Sequence, residues 1–358
     1  MRARLLIVAL ALGLGAASGS SGGCKKKKPA AAVVSAAPIA ALAAIPADAT
    51  LVIGLDVTQL ADSGLVARSL AQLFVRDPDL AARFERLAKD CGVDVTRQVK
   101  AVHLAMAPGG DGPARRSLLV ATGELAEASL TRCLQAGIGS GGGDVTVKQS
   151  GAHSLYKLTE GRRVVYFGFG KADTVVIGPD EAWVESALGD GAKIATSKDL
   201  APRLSNVDTT AAIWFVALMD ADLGATLVTN SDGAIGAPPA AVWAELTPND
   251  GLTAHAAFEM TSNADASALA LYAKGELLVG GIAAQRWGLG PVVGKVEVTA
   301  KGADVHFRVA LTDDELKDVL AVIDTGSIGG QDAPPPADGG PDSGSPSPPG
   351  SPSSDAGP

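Results

Sequence analysis

Four histidines, one serine–lysine pair, a glycine-rich run and two cysteines are the residues through which this chain could do chemistry. Ser154-Leu-Tyr-Lys157 sets a serine three positions before a lysine. On a helix that spacing lets the amine reach the hydroxyl and activate it for acyl transfer. The surrounding alternation (Val145, Val147, then Leu155) predicts a strand instead, where residues three apart face opposite sides. Gly137-Ile-Gly139-Ser-Gly-Gly142 spells a dinucleotide fingerprint, which works only where a strand leads into a helix whose free amides meet the pyrophosphate. Here the run follows a predicted helix and precedes a strand, so it reads as a helix C-terminus. His103, His153, His255 and His306 are dispersed, with no closely spaced pair of the kind that holds zinc. His103 and His255 fall in predicted strands and read as structural. No catalytic residue, metal site or cofactor is expected.

Cys91 and Cys133 invite a different reading. Cys91 ends a predicted helix at a turn marked by Gly92. Cys133 lies on a helix beginning near Ala126, facing inward with Leu130 and Leu134. In an oxidising compartment two such thiols pair as a structural disulfide; in a reducing one they stay buried as small hydrophobes. No C-x-x-C motif suggests a redox role.

The elements that position these residues repeat. Asp48–Ile53 matches Asp208–Ile213 as a strand opening after a polar residue. Ser117–Gly137 matches His255–Gly275 without a gap, each an apolar strand followed by a helix. Val145–Leu158 matches Val296–Val309, each two strands around Gly-Ala. Gly178–Trp183 matches Leu311–Leu316 at the start of a helix, where Thr312 and Glu315 form a capping box. The first copy adds a hairpin (Arg163–Phe169 with Thr174–Ile177) and a longer helical stretch, Ala61–Asp90, interrupted at Pro78. The expectation is an α+β fold of two repeated strand/helix halves, with mainly antiparallel sheets and helices packed on one face. The halves should superpose near 46–188 and 206–322.

Composition bounds the rest. A net charge of −9 opposes binding to phosphate backbones, and aromatics at 4% are too few for base-stacking platforms, so nucleic acid is excluded as a partner. Hydrophobic residues at 47% suffice for one or two cores. The segmentation is 1–23 leader, 24–45 anchor and stalk, 46–195 first repeat, 196–327 second repeat, and 328–358 a Pro/Gly/Ser/Asp tail expected to be disordered.

The leader has a basic start, Arg2 and Arg4, then an apolar run from Leu5 to Leu14 and small residues up to Cys24. The run is too short to span a bilayer of ~30 Å and matches a secretory signal. Gly22-Gly23-Cys24 resembles the lipobox of bacterial lipoproteins, with Ser21 where that motif usually has leucine. The resemblance implies cleavage before Cys24 and a diacylglyceryl lipid, with palmitate, on that cysteine. Lys25, Lys26, Lys27 and Lys28 would then meet an anionic membrane surface, at ~1 kcal/mol each.

Ile45-Pro46-Ala-Asp48-Ala-Thr, followed by a strand and a leucine-rich helix, looks like a loose group of bacterial envelope lipoproteins over residues 45–140. That resemblance carries over no catalytic residues. With no catalytic constellation in the sequence, the expectation is a non-enzymatic module outside the cytoplasm, held to a membrane, the outer in preference to the inner, and open to a protein partner. The alternative expectation is a carrier or sensor of an apolar ligand. Gly275, Gly280 and Gly281 on the predicted helix Ala264–Ala284 would make room for a lipid chain against the sheet.

Overall fold

Val99–Ala107 is buried at every second residue, as a strand with one face in a core must be. Eleven other strands join it. The computed structural model describes residues 41–324 except 62, 64–70, 72, 73, 76, 79, 80, 83, 84, 86, 87, 90, 91, 93, 109–115, 134–142, 171, 172, 232 and 250. The leader, Cys24, Lys25 to Lys28, Cys91, the run Gly137–Gly142 and the tail 328–358 therefore lie outside the described residues. Between 71 and 89 the described residues are helical on both sides of Asp77, the break expected before Pro78.

The strands are β1 (Leu51–Asp56), β2 (Val99–Ala107), β3 (Arg116–Gly123), β4 (Asp144–Ser150), β5 (His153–Glu160), β6 (Arg163–Phe169) and β7 (Thr174–Gly178). The second half supplies β8 (Ile213–Leu218), β9 (Ala241–Asn249), β10 (Gly251–Glu259), β11 (Glu297–Lys301) and β12 (Asp304–Thr312). All twelve form one sheet in the order β11-β12-β10-β9-β8-β1-β2-β3-β7-β6-β5-β4. Every neighbouring pair is antiparallel. The halves thus share a continuous sheet, joined where β1 pairs with β8. Outward from that seam both run in the same order, with the β6–β7 hairpin inserted between β3 and β5 in the first. The β4–β5 and β11–β12 turns each begin with a glycine in the left-handed region, Gly151 at φ 61° and Gly302 at φ 62°, which only glycine adopts without strain.

The helices are α1 (Val57–Ala61), α2 (Val95–Gln98), α3 (127–133), α4 (Glu181–Leu188), α5 (Ala201–Leu204), α6 (Ala221–Asn230), α7 (Asn263–Ala284), α8 (Gly290–Gly294) and α9 (Asp313–Asp324). The α+β class stands, but the helices occupy both faces of the sheet. Trp183, Val184 and Ala187 of α4 pack on Leu118, Val120 and Val176. The neighbouring residues Leu119, Ala121, Val175 and Ile177 form a separate cluster with Leu125 and Leu130. Adjacent residues of a strand point to opposite faces, so the two clusters lie on opposite sides. The cause is visible in β3 and β7, whose runs Leu-Leu-Val-Ala and Val-Val-Ile are apolar on both faces and need cover on each. In the second half α7 packs on Val298, Val305 and Phe307, and α9 sets Leu316 and Leu320 on Leu252 and Leu311. Both use one face. The capping box of α9 is formed: Thr312 N–H donates to Glu315 Oε2 at 2.9 Å and Glu315 N–H to Thr312 Oγ1 at 3.4 Å.

The folded part also begins earlier than residue 46. Ala41 and Ile45, placed by sequence in the stalk, are wholly buried in the main core. The reason is a backbone tie: Ile194 N–H donates to the Ile45 carbonyl, and Ala47 N–H to the Ala192 carbonyl. Asp48 extends it, accepting from Trp183 Nε1 at 2.9 Å and from Arg116 at 2.6 Å. Burial pushes the Asp48 carboxyl up, but these two hydrogen bonds outweigh it and hold it below the usual range.

At the seam, Gly54 lies against the Trp214 indole. A Cβ on Gly54 would sit 2.1 Å from a ring carbon, closer than any contact allows. Gly54→Ala should cost about 2–3 kcal/mol of unfolding free energy by overpacking, read as a lowered denaturation midpoint; an unchanged midpoint would contradict this packing.

Cys133 is buried and disulfide-bonded. We propose Cys91 as its partner. A loop of about 40 residues closed this way contributes up to ~4 kcal/mol in the chain-entropy model. Thiol labelling of the denatured, unreduced chain should leave both unlabelled, and labelling of Cys91 alone would assign the bond elsewhere.

Candidate functional site

Strand register decides which chemistry-bearing residues meet. Ser154 and Lys157 both lie on β5 and point to opposite faces; Ser154 Oγ accepts from Gln149 Nε2 at 3.1 Å. No serine–lysine pair forms. His153 Nδ1 sits 3.2 Å from the Phe169 carbonyl, a strand-end contact.

The other three histidines share one sheet face. Reading across the paired strands, Val120, His103, Gly54, Trp214, Glu245, His255, Arg308 and Glu297 stand opposite one another in a single row. In the first half this row lies under α4 and the 41–50 segment. In the second half it becomes a polar surface. His103 is buried, with its ring 5.7 Å from that of Trp214 and its Nδ1 without a hydrogen-bond partner. Burial pushes its pKa down to about 4, so the imidazole is neutral in the fold.

Glu245, His255 and His306 form a hydrogen-bonded chain. Glu245 Oε1 lies 2.9 Å from His255 Nδ1, and His255 Nε2 lies 3.1 Å from His306 Nδ1. The second Glu245 oxygen accepts from the Asp208 amide at 2.8 Å. The Trp243 ring meets His255 edge-on at 4.7 Å. A carboxylate only accepts, so His255 donates to Glu245 from Nδ1. Burial first, and the facing His255 ring second, hold the His306 pKa below its ordinary value. The arrangement can orient an imidazole and share a proton. Among the described residues, no group of three or more metal-ligating side chains is gathered there. Sequence reading missed this cluster because Glu245, His255 and His306 are joined only by the β9–β10–β12 register.

On the opposite face of the second half, α7 presents a different surface. Ser262 caps it by accepting from the Asp265 amide. Ala266, Leu269, Ala270 and Ala273 are buried against the sheet. The far side is also apolar: Leu271 is 74% exposed, Leu278 71%, Val279 63% and Ile282 63%. Spacings of seven, eight and eleven residues put these four on one stripe. A shallow cleft of about 440 Å³ beside it is lined by Ala234, Ala268, Leu271, Tyr272, Gly275, Glu276 and Val279. Gly275 and Gly281 do not make the room against the sheet that the sequence reading expected. A Cβ on Gly275 would meet open space, and one on Gly281 would make an ordinary 3.6 Å contact with Val293. The small residues on the sheet side are alanines.

No family model matches the chain, and no curated protein matches it. A solved structure, crystal form I of TP0453, is similar to it at 10% identity and a TM-score of 0.42, covering 79% of this chain and 96% of that one. A likeness at that level carries no argument about function.

His103 sets a pH dependence. Unfolded, it titrates near 6.5; folded, near 4, so between those values the unfolded chain binds the extra proton. Its contribution to stability is complete above pH 6.5 and is lost as pH falls toward 4, by up to about 3 kcal/mol. His103→Leu should flatten the stability profile over that window relative to the wild type in urea titrations. Parallel profiles would show that His103 does not titrate there.

Proposed function

We propose that this chain is a non-enzymatic lipoprotein of a bacterial envelope that binds through the outer face of α7. The observation that carries the reading is the exposed stripe Leu271, Leu278, Val279 and Ile282 on a well-capped, well-packed helix. Exposed large aliphatics scattered singly need no explanation, but four aligned on one helix mark a binding surface. The tether is Cys24, lipidated after removal of residues 1–23, with Lys25 to Lys28 against the membrane surface; one acyl chain alone holds marginally, and several chains plus a basic patch hold firmly. The Glu245–His255–His306 chain serves as an orienting network on the polar face rather than as a catalytic centre. Glu245 is committed to the Asp208 amide as well as to His255.

A second reading, a carrier of an apolar ligand, draws on the cleft beside Gly275. Native mass spectrometry after mild extraction separates the two: a carrier retains a lipid beyond its own anchor, and a binding module does not.

Intact-mass analysis of the membrane fraction should show loss of residues 1–23 and addition of acyl mass at Cys24, and Cys24→Ala should move the protein to the soluble fraction. A wild-type chain found soluble and unmodified would end the tether proposal.

A further inference from the structure

Asn263–Trp287 is long and apolar enough to cross a membrane, yet little of it is buried in the fold. Its charged residues are Asp265, Lys274, Glu276 and Arg286, and none lies between Leu277 and Gln285. We propose that α7 lies flat on the bilayer to which the chain is tethered, with its outer stripe among the acyl chains and Trp287 at the headgroup level. This rests on the tethered-module reading above and names its partner as phospholipid.

Three observations favour a bilayer over a protein surface. Between Leu277 and Ala284 the helix offers no side-chain hydrogen-bonding group. Protein interfaces carry about one hydrogen bond per 100–200 Å², whereas hydrocarbon asks for none. The apolar stripe ends at Arg286 and Trp287, with Trp287 41% exposed. A tryptophan beside a basic residue at the end of an apolar helix is the pairing that settles at a membrane–water boundary. Finally, the tether reaches. The 16 residues between Cys24 and Ala41 allow a span of up to about 60 Å when extended, enough to bring any face of the sheet onto the membrane. Because α7 and the row Glu245, His255, Arg308, Glu297 lie on opposite faces of the sheet, a docked α7 turns that polar row toward the aqueous compartment.

The four tryptophans supply the test. Trp183, Trp214 and Trp243 are buried, so a change on membrane contact reads Trp287. The lipid-bearing chain is reconstituted on phosphatidylethanolamine–phosphatidylglycerol vesicles whose acyl chains are brominated. Emission should shift to the blue and be quenched, and Trp287→Phe should abolish most of that quenching. Leu278→Glu with Ile282→Glu should lose the quenching while the protein still floats with the vesicles. Both positions are exposed, and an unchanged circular dichroism melt confirms the fold. Flotation without quenching in the wild type overturns the α7 docking and leaves the tether standing; a wild type that neither floats nor is quenched overturns both. Quenching retained in the double variant also overturns the proposal. So does a blue-shifted Trp287 in a vesicle-free dimer, which would assign the stripe to a second copy.

Discussion

Gly54 lies against the indole of Trp214 in the strand pair that joins the two halves of the sheet. β1 opens the first half and β8 opens the second, far apart in sequence, and the other strands are counted outward from them. A one-residue slip there would turn every side chain of one half to the wrong face. Trp214 and Val216 would leave the main core that Val52 faces. The small residue and the large ring are complementary shapes in the strand pair that joins the two halves. The tie from Ile45 and Asp48 to Ala192, Ile194 and Trp183 then closes the core over that seam.

Once the seam is set, the two ends of the sheet follow different rules. In the first half β3 and β7 are apolar on both sides, so α4 and the segment from Ala41 cover one face while Leu125, Leu130 and their neighbours cover the other. In the second half α7 and α9 share one face, while on the other Trp243 and Ala257 continue the main core. Beside that core Glu245 holds His255 and His306 without their burial being complete. The same sheet thus holds a buried neutral histidine and a hydrogen-bonded histidine pair, set apart by whether a helix lies over the row. Among the described residues, Leu271, Leu278, Val279 and Ile282 on the outer side of α7 stay exposed.

Much of the element order was legible from pattern. The Gly-Ala hairpins, the α9 capping box, the break at Asp77 and the strand–helix–strand sequence of each half follow from local rules of turn chemistry, capping and periodicity. The two-face burial of β3 was also written in Leu118-Leu119-Val120-Ala121, a run without alternation, though strands counted as one class conceal it. Ala41–Ile45 reads as an alanine-rich stalk because composition cannot show that a backbone partner at Ala192 and Ile194 is waiting. The α7 glycines misled for a related reason: a helix apolar on every side gives no signal of which stripe meets the sheet.

By itself the sequence determined where many of the strands, helices and turns begin, and that Ser154 and Lys157 lie on a strand and so do not pair. These are properties of residues near one another along the chain, governed by backbone sterics, capping and apolar spacing. Only the tertiary structure decided that the halves share one sheet, that Glu245, His255 and His306 touch, and that α7 turns an apolar stripe outward. Those facts depend on register between strands far apart in sequence and on which faces remain uncovered after packing, and no local spacing encodes either.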